Sequence, residues 1–240
     1  MRGRASDPPP QFDRSGTAAN IVRILLVSET VKRQYRAGKR AETAAATRAA
    51  IRRAAGELFV ERGYAATPMR EIARRAGIGE RTLYDAFPNK LALFRNVLDV
   101  ATVGDEEPVA VAERPEVRAA LAESDPRAAV DIIVDYIADL LERAGDLIMV
   151  GVDAASADPA MKSWSEAGAA ATRAFWAAFV RSLAEHGTLR PDIDADTAAD
   201  SLFALASPHV FRLLRRESGW PATKYRDWLT DAVTAHLLTR

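Results

Sequence analysis

The side chains whose types and spacing could do chemistry in this sequence are donors and cations, not nucleophiles. Arg70, Arg81, Thr82, Tyr84 and Lys90 fall inside one short stretch, 66-ATPMREIARRAGIGERTLYDAFPNK-90. Such a set hydrogen-bonds anionic oxygens and base edges; it holds no nucleophile beside a base. The chain contains no H-E-x-x-H, G-x-S-x-G, Walker A or G-x-G-x-x-G pattern. His186, His209 and His236 are scattered, and there is no cysteine, which excludes thiol catalysis, disulfides and Cys-based zinc sites. The string 192-DIDADTAAD-200 alternates acids as a calcium loop does, but Thr197 stands where the sharp-turn glycine belongs and Phe203 where the closing glutamate would be. Asp194 or Asp196 as a helix cap accounts for it better. The expectation is no enzyme, no metal and no cofactor.

The net charge of zero hides a division. Residues 1–95 carry 19 Lys+Arg against 9 Asp+Glu, and residues 96–240 carry 14 against 24. A basic first part and an acidic second part point to an N-terminal segment that meets a polyanion and a C-terminal one that does not. No apolar run approaches the roughly 20 residues of a membrane span, so a soluble protein without membrane partners is expected.

The elements that must position the donors are helices, since alanine and leucine dominate the 48% apolar content. Residues 1–42 combine a proline- and glycine-rich start, an apolar run at 21–27 and the basic KRQYRAGKR; they are expected to be a disordered, basic extension. From residue 43 the pattern is orderly. Ile51, Ala54, Ala55, Leu58 and Phe59 recur at helical spacing and Gly63 closes the helix. Thr67 is expected to cap a second helix that opens at Pro68 and ends at Gly77. A third short helix covers 80–87, and Asn89 caps a fourth carrying Leu91, Phe94, Val97 and Leu98. Ile72, Ala73, Gly77, Ile78 and Leu83 then have the offsets of a helix-turn-helix over 68–87, whose outer face is free to enter a DNA major groove. Beyond a linker at 104–115, further helices are expected at 126–143, 146–157, 159–186, 194–217 and 222–238.

Residues 48–98, with LF-x-x-x-GY, the threonine ahead of the second helix, the A-x-x-x-G turn, TLY and F-P-x-K, resemble the N-terminal domain of the TetR family of transcriptional repressors. The likeness covers about a fifth of the chain; residues 203–238 are more weakly similar to the C-terminal helices of such regulators. The resemblance implies that Thr67 and Arg70 touch phosphate and that Arg81 and Thr82 face bases or backbone. It further implies that Tyr84 packs on the sugar-phosphate chain and that Lys90 clamps a phosphate at the positive end of its helix. Two departures stand out: Gly79 replaces the usual serine or threonine cap, and Glu80 and Asp85 bring negative charge where lysine and histidine are common.

The expected architecture is all-α: a three-helix DNA-binding domain over 43–103 followed by a helical ligand-binding and dimerisation domain over 104–240. Met149, Trp164, Phe175, Trp176, Phe179, Phe203 and Phe211 supply aromatics either for a core or for a ligand cavity. By resemblance, the partners are a palindromic double-stranded operator, a small and mostly apolar effector that releases it, and a second copy of the chain. The expected location is the cytoplasm, on the nucleoid. Two other classes remain open: a ligand-independent DNA-binding or architectural protein, marked by a dry packed body, and a helical enzyme carrying a DNA-binding module, marked by convergent polar residues.

Overall fold

A computed structural model of the chain describes residues 39, 41–105 and 111–239. The chain divides into two compact units, 1–49 and 50–240. In the first, residues 41–49 are helical; the expectations for 1–38, including the apolar run and most of the basic arm, lie outside the described residues. The described residues of the second unit form helices joined by turns and short loops, with an isolated bridge between Leu189 and Leu238.

Its first helix, α1 (50–62), turns Ile51, Ala54, Ala55, Leu58 and Phe59 into the core, as their spacing requires. There follow α2 (Met69–Ala76), α3 (Glu80–Ala86) and α4 (Lys90–Val103). A 3-10 turn at Val111–Glu113 leads into α5 (Pro115–Ala122) and the long α6 (Pro126–Ala155). Then come α7 (Pro159–Glu185), α8 (Ala195–Leu205), α9 (Pro208–Phe211), a π turn at Arg212–Glu217 and α10 (Ala222–Leu237). Side-chain caps start many of them: Asn89, Asp125, Asp158, Asp194 and Ser207 each accept from a backbone N–H of the first turn. Asp194 thus has the capping role and not that of a calcium ligand.

The spine is α6, which packs against α4, α5, α7, α9 and α10. It is one helix where the sequence suggests two, 126–143 and 146–157. Asp146 does not cap a new helix; its carboxylate takes the Arg216 guanidinium at 3.1 Å. Gly145 stays inside the helix because the Phe211 ring lies on it: a Cβ there would come within 2.9 Å of the ring. The opposite correction applies to 194–217. That run is broken at Ser207, which caps a new helix opened by Pro208, since proline cannot donate into the turn before it. In the π turn that follows, Arg215 pairs with Glu142 and donates to the Trp220 carbonyl, while Arg216 reaches Glu142 and Asp146 and its guanidinium covers the Phe211 ring at 4.9 Å.

The close approach at Gly145 generates a test. Alanine would gain helix propensity of about 1 kcal/mol, but Phe211 is fully buried and has little room to retreat. Gly145→Ala is expected to lose about 1–2 kcal/mol net in urea unfolding, and Gly145→Val more. A neutral or stabilised Gly145→Ala would show that the ring is not fixed there.

Candidate nucleic-acid interface

The turn between α2 and α3 is made by Gly77, at φ 70°, a left-handed conformation that suits glycine. Its N–H and that of Ile78 return to the carbonyls of Arg74 and Ala73, closing α2 tightly. Ala73 is 1% exposed, and Leu83 and Phe87 anchor α3 at 0% and 2%. With Leu83 rooted and Ala86 packed partly against the core, Glu80, Arg81, Thr82, Tyr84 and Asp85 are all exposed. Tyr84 keeps 48% of its surface in solvent, and the Arg81 side chain 94%. Arg70, on α2, is exposed as well. Four of the six sequence-derived contacts thus lie where a polyanion can reach them.

The other two have structural duties. Thr67 is 0% exposed and does not cap α2, contrary to expectation. The residue ahead of α2 is Pro68, without a side-chain cap. The Thr67 hydroxyl instead points back to the Gly63 carbonyl at 2.8 Å, with the Leu58 carbonyl at 3.1 Å, and so pins the end of α1 to the start of α2. Lys90 is half-buried: its ammonium donates to the Tyr64 carbonyl at 2.8 Å and to Ala65 at 3.4 Å, and sits 4.4 Å from the centre of the Tyr64 ring. Burial pushes this ammonium down from its usual range, against the pull of Asp158. Lys90 therefore ties the α1–α2 turn to the first residue of α4, with one of its three protons left to donate outward.

Exposed ion pairs hold α2 on α1. Arg62 and Arg74 converge on Glu71, and Arg75 bridges Glu57 and Glu61. The hydrogen bond from Arg74 is the main reason the Glu71 carboxyl falls from 4.5 to about 2. Arg74 and Arg75 are thereby engaged by acids of their own chain. On α3, Arg81 Nε lies 4.0 Å from Asp85 Oδ2, beyond hydrogen-bond distance.

The fold joins this platform to the long helices through Phe94 of α4. Its ring meets those of Phe59, Tyr64 and Trp164 edge-on, with centroids 5.1, 5.4 and 5.6 Å apart. Gly151 of α6 makes room for it: a Cβ there would stand 3.1 Å from Trp164 and 3.4 Å from Phe94. Phe59 and Tyr64 belong to the LF-x-x-x-GY pattern of the sequence, whereas Gly151 carries no mark there beyond its small size.

The pocket aromatics proposed from the sequence belong to the hydrophobic core or pack against it at several points. Phe175, Trp176 and Phe179 stack in succession along α7. Phe203 lies under the Arg173 guanidinium at 4.6 Å, and Phe211 packs on Tyr225. Met149, Trp176, Phe179 and Phe211 are buried core residues. A cleft of about 560 Å³ lies elsewhere, between the end of α4, the start of α5 and one stripe of α6. Its lining is mixed, with Asp105, Arg114, Tyr136, Asp139 and Arg143 beside Val103, Pro115 and Ile132, and it includes none of the seven candidates. Among the described residues no cluster of His, Asp or Glu could hold a metal, and no helix is long and apolar enough to cross a membrane.

Comparison with known proteins agrees with this geometry. Residues 51–97 match the family model described as bacterial regulatory proteins, tetR family. The chain is similar to the HTH-type transcriptional activator FasR of Mycolicibacterium smegmatis, at 53% identity over 45 residues, which is 19% of this chain and 20% of that protein's length. Among solved structures it resembles NalD of Pseudomonas aeruginosa, named as the secondary repressor of the MexAB-OprM multidrug efflux pump. The TM-score is 0.62 at 22% identity, covering 81% of this chain and 98% of NalD. It also resembles a protein of Saccharomonospora viridis in complex with choline, with TM-score 0.63 at 20% identity, covering 82% and 100%. At these identities the likeness to solved structures is one of fold.

Two expectations follow from the site. Tyr84→Ala should weaken binding to all duplexes alike, and Arg81→Ala should relax preference at one or two base pairs by about 1–3 kcal/mol each; footprinting and competition binding separate these patterns. The Glu71 pair supplies a pH test. A carboxyl held at about 2 contributes stability that is fully present above its ordinary range and lost as pH falls toward 2. Thermal melts of wild type and Glu71→Gln should therefore differ at neutral pH and converge as the pH drops from 4.5 to about 2. A constant gap would mean the pair is not formed in solution.

Proposed function

We infer that this chain, a TetR-family protein by its N-terminal DNA-binding domain, is a transcriptional regulator that binds duplex DNA through α3. The observation that carries this is the division of α3 itself. Leu83 is wholly buried while Arg81, Thr82 and Tyr84 stand clear on the opposite side. That is the arrangement a recognition helix needs to lie in a major groove. The basic character of residues 1–95 supports it, and so does the acidic remainder, which phosphate would repel.

The finer form of this reading is a homodimer on a palindromic operator, with DNA-binding residues over 43–103 and effector and dimer functions over 104–240. Leu213, a large apolar side chain 53% exposed next to α9 and α10, suits a surface shared with a second copy. A small, mostly apolar effector in the helical body would switch the DNA-bound state by binding two arrangements of α4 unequally. The choline complex of a similarly folded protein supports small-molecule binding within this fold. One observation favours a different outcome: Phe179 and Phe211 at 0% and Trp176 at 2% exposure make a packed core, as a ligand-independent DNA-binding protein would have.

Sequencing the genomic fragments that the purified chain retains tests the main reading. They are expected to share an inverted repeat. Binding to that repeat should fall steeply between low and physiological salt, because each phosphate contact releases counterions. Fragments with no common sequence, or an affinity indifferent to salt, would contradict it.

A further inference from the structure

The exposed face of α3 carries more negative than positive charge: Glu80 and Asp85 against Arg81. For a helix that meets a polyanion this is a cost, unless a carboxylate finds donors that phosphate cannot supply. The major groove offers them on base edges. Guanine presents only acceptors there, O6 and N7, which suit arginine. Cytosine presents the N4 amino group, a donor that suits a carboxylate. Adenine also has an amino group, but its N7 acceptor lies beside it and would face the second carboxylate oxygen.

The geometry of the helix fits such a pair. Arg81 and Asp85 are four residues apart on one face, about 6 Å along the axis, and base pairs are about 3.4 Å apart. The two side chains are 94% and 71% exposed, and at 4.0 Å they attract one another without forming a hydrogen bond. Arg81 thus keeps its full fork of donors and Asp85 its acceptors, while their attraction holds both on the same face. Glu80 differs in place: it opens α3, where its charge complements the helix dipole.

We propose that Arg81 and Asp85 act together as a two-residue reader of neighbouring G·C pairs, Arg81 taking guanine O6 and N7 and Asp85 accepting from the amino group of a cytosine one or two steps away. Asp85 is then a specificity-determining residue, and its negative charge is the means by which the regulator rejects A·T at that position. This rests on α3 being the element that enters the groove.

The experiment is selection of bound duplexes from a random-sequence pool, run with the full chain and with Asp85→Asn, together with the affinity of both for a fixed non-operator duplex. Asparagine pairs with adenine N6 and N7, and Asp85 is at the surface, so the variant keeps the fold. The wild type should enrich a cytosine close to a guanine. Asp85→Asn should exchange that cytosine for adenine, reversing the preference by about tenfold or more, and leave the other positions unchanged. If Asp85→Asn binds every duplex more tightly with the same sequence preference, Asp85 only repels phosphate and the proposal is overturned. If the wild type enriches nothing, the DNA-reading role of α3 falls and the proposal with it.

Discussion

Helix α4 has to satisfy two packings with one ring. Phe94 is closed in by Phe59 of α1, Tyr64 of the turn after α1 and Trp164 of α7, all edge to face. Such contacts are directional, since the ring edge of one must meet the face of the next, so the ring fixes orientation as well as burial. The cation on the same helix adds a second point of attachment. Lys90 donates to the carbonyls of Tyr64 and Ala65, and so holds the turn that Thr67 also holds through the Gly63 carbonyl. Helix α3 is short, and its stable presentation depends on this joint more than on its own seven residues.

Electrostatics then divides the surface by task. Arg62, Arg74 and Arg75 are engaged by Glu57, Glu61 and Glu71, so much of the basic charge near α2 serves to hold helices together. Exposed pairs of this kind contribute modestly to stability, but they leave fewer free cations to bind DNA indiscriminately. What stands free on α3 is a mixed set, one arginine with two carboxylates, a threonine and a tyrosine. A face of that composition trades general attraction to phosphate for selectivity among bases. The same logic continues away from the DNA, where Arg215 and Arg216 are spent on Glu142 and Asp146 of α6.

The local half of this structure was legible in the sequence and the long-range half was not. Gly63, Gly77, Pro88 and Asn89 punctuate the first four helices because turn and cap chemistry depends on near neighbours. Thr67 shows the limit: a threonine ahead of a helix satisfies the pattern of a cap, yet its hydroxyl turns backward to Gly63 and Leu58, which the pattern cannot distinguish. Lys90 at the start of α4 reads as a phosphate clamp, and the sequence gives no sign that its ammonium also donates to the Tyr64 carbonyl, 26 residues earlier. For the aromatic candidates the sequence leaves core and cavity open for the same reason. Helical spacing identifies side chains that turn inward, but whether they enclose space or fill it depends on partners such as Tyr225 for Phe211.

Glycine on α6 makes the point most sharply. Gly145 and Gly151 both weaken the helix intrinsically, by about 1 kcal/mol each relative to alanine, and from sequence alone Gly145 looks like a break. Each is instead the floor of an aromatic contact: Phe211 lies on the first, and Trp164 with Phe94 on the second. Six residues of α6 separate them, about 9 Å of continuous helix. The spine therefore carries on one rod both the ring that anchors the C-terminal helices and the ring that sets α4. Any change that moves α6 along or about its axis must be felt at both contacts, because neither ring has space to absorb it. That shared dependence on two missing side chains ties the packing of the C-terminal helices to the packing of α4.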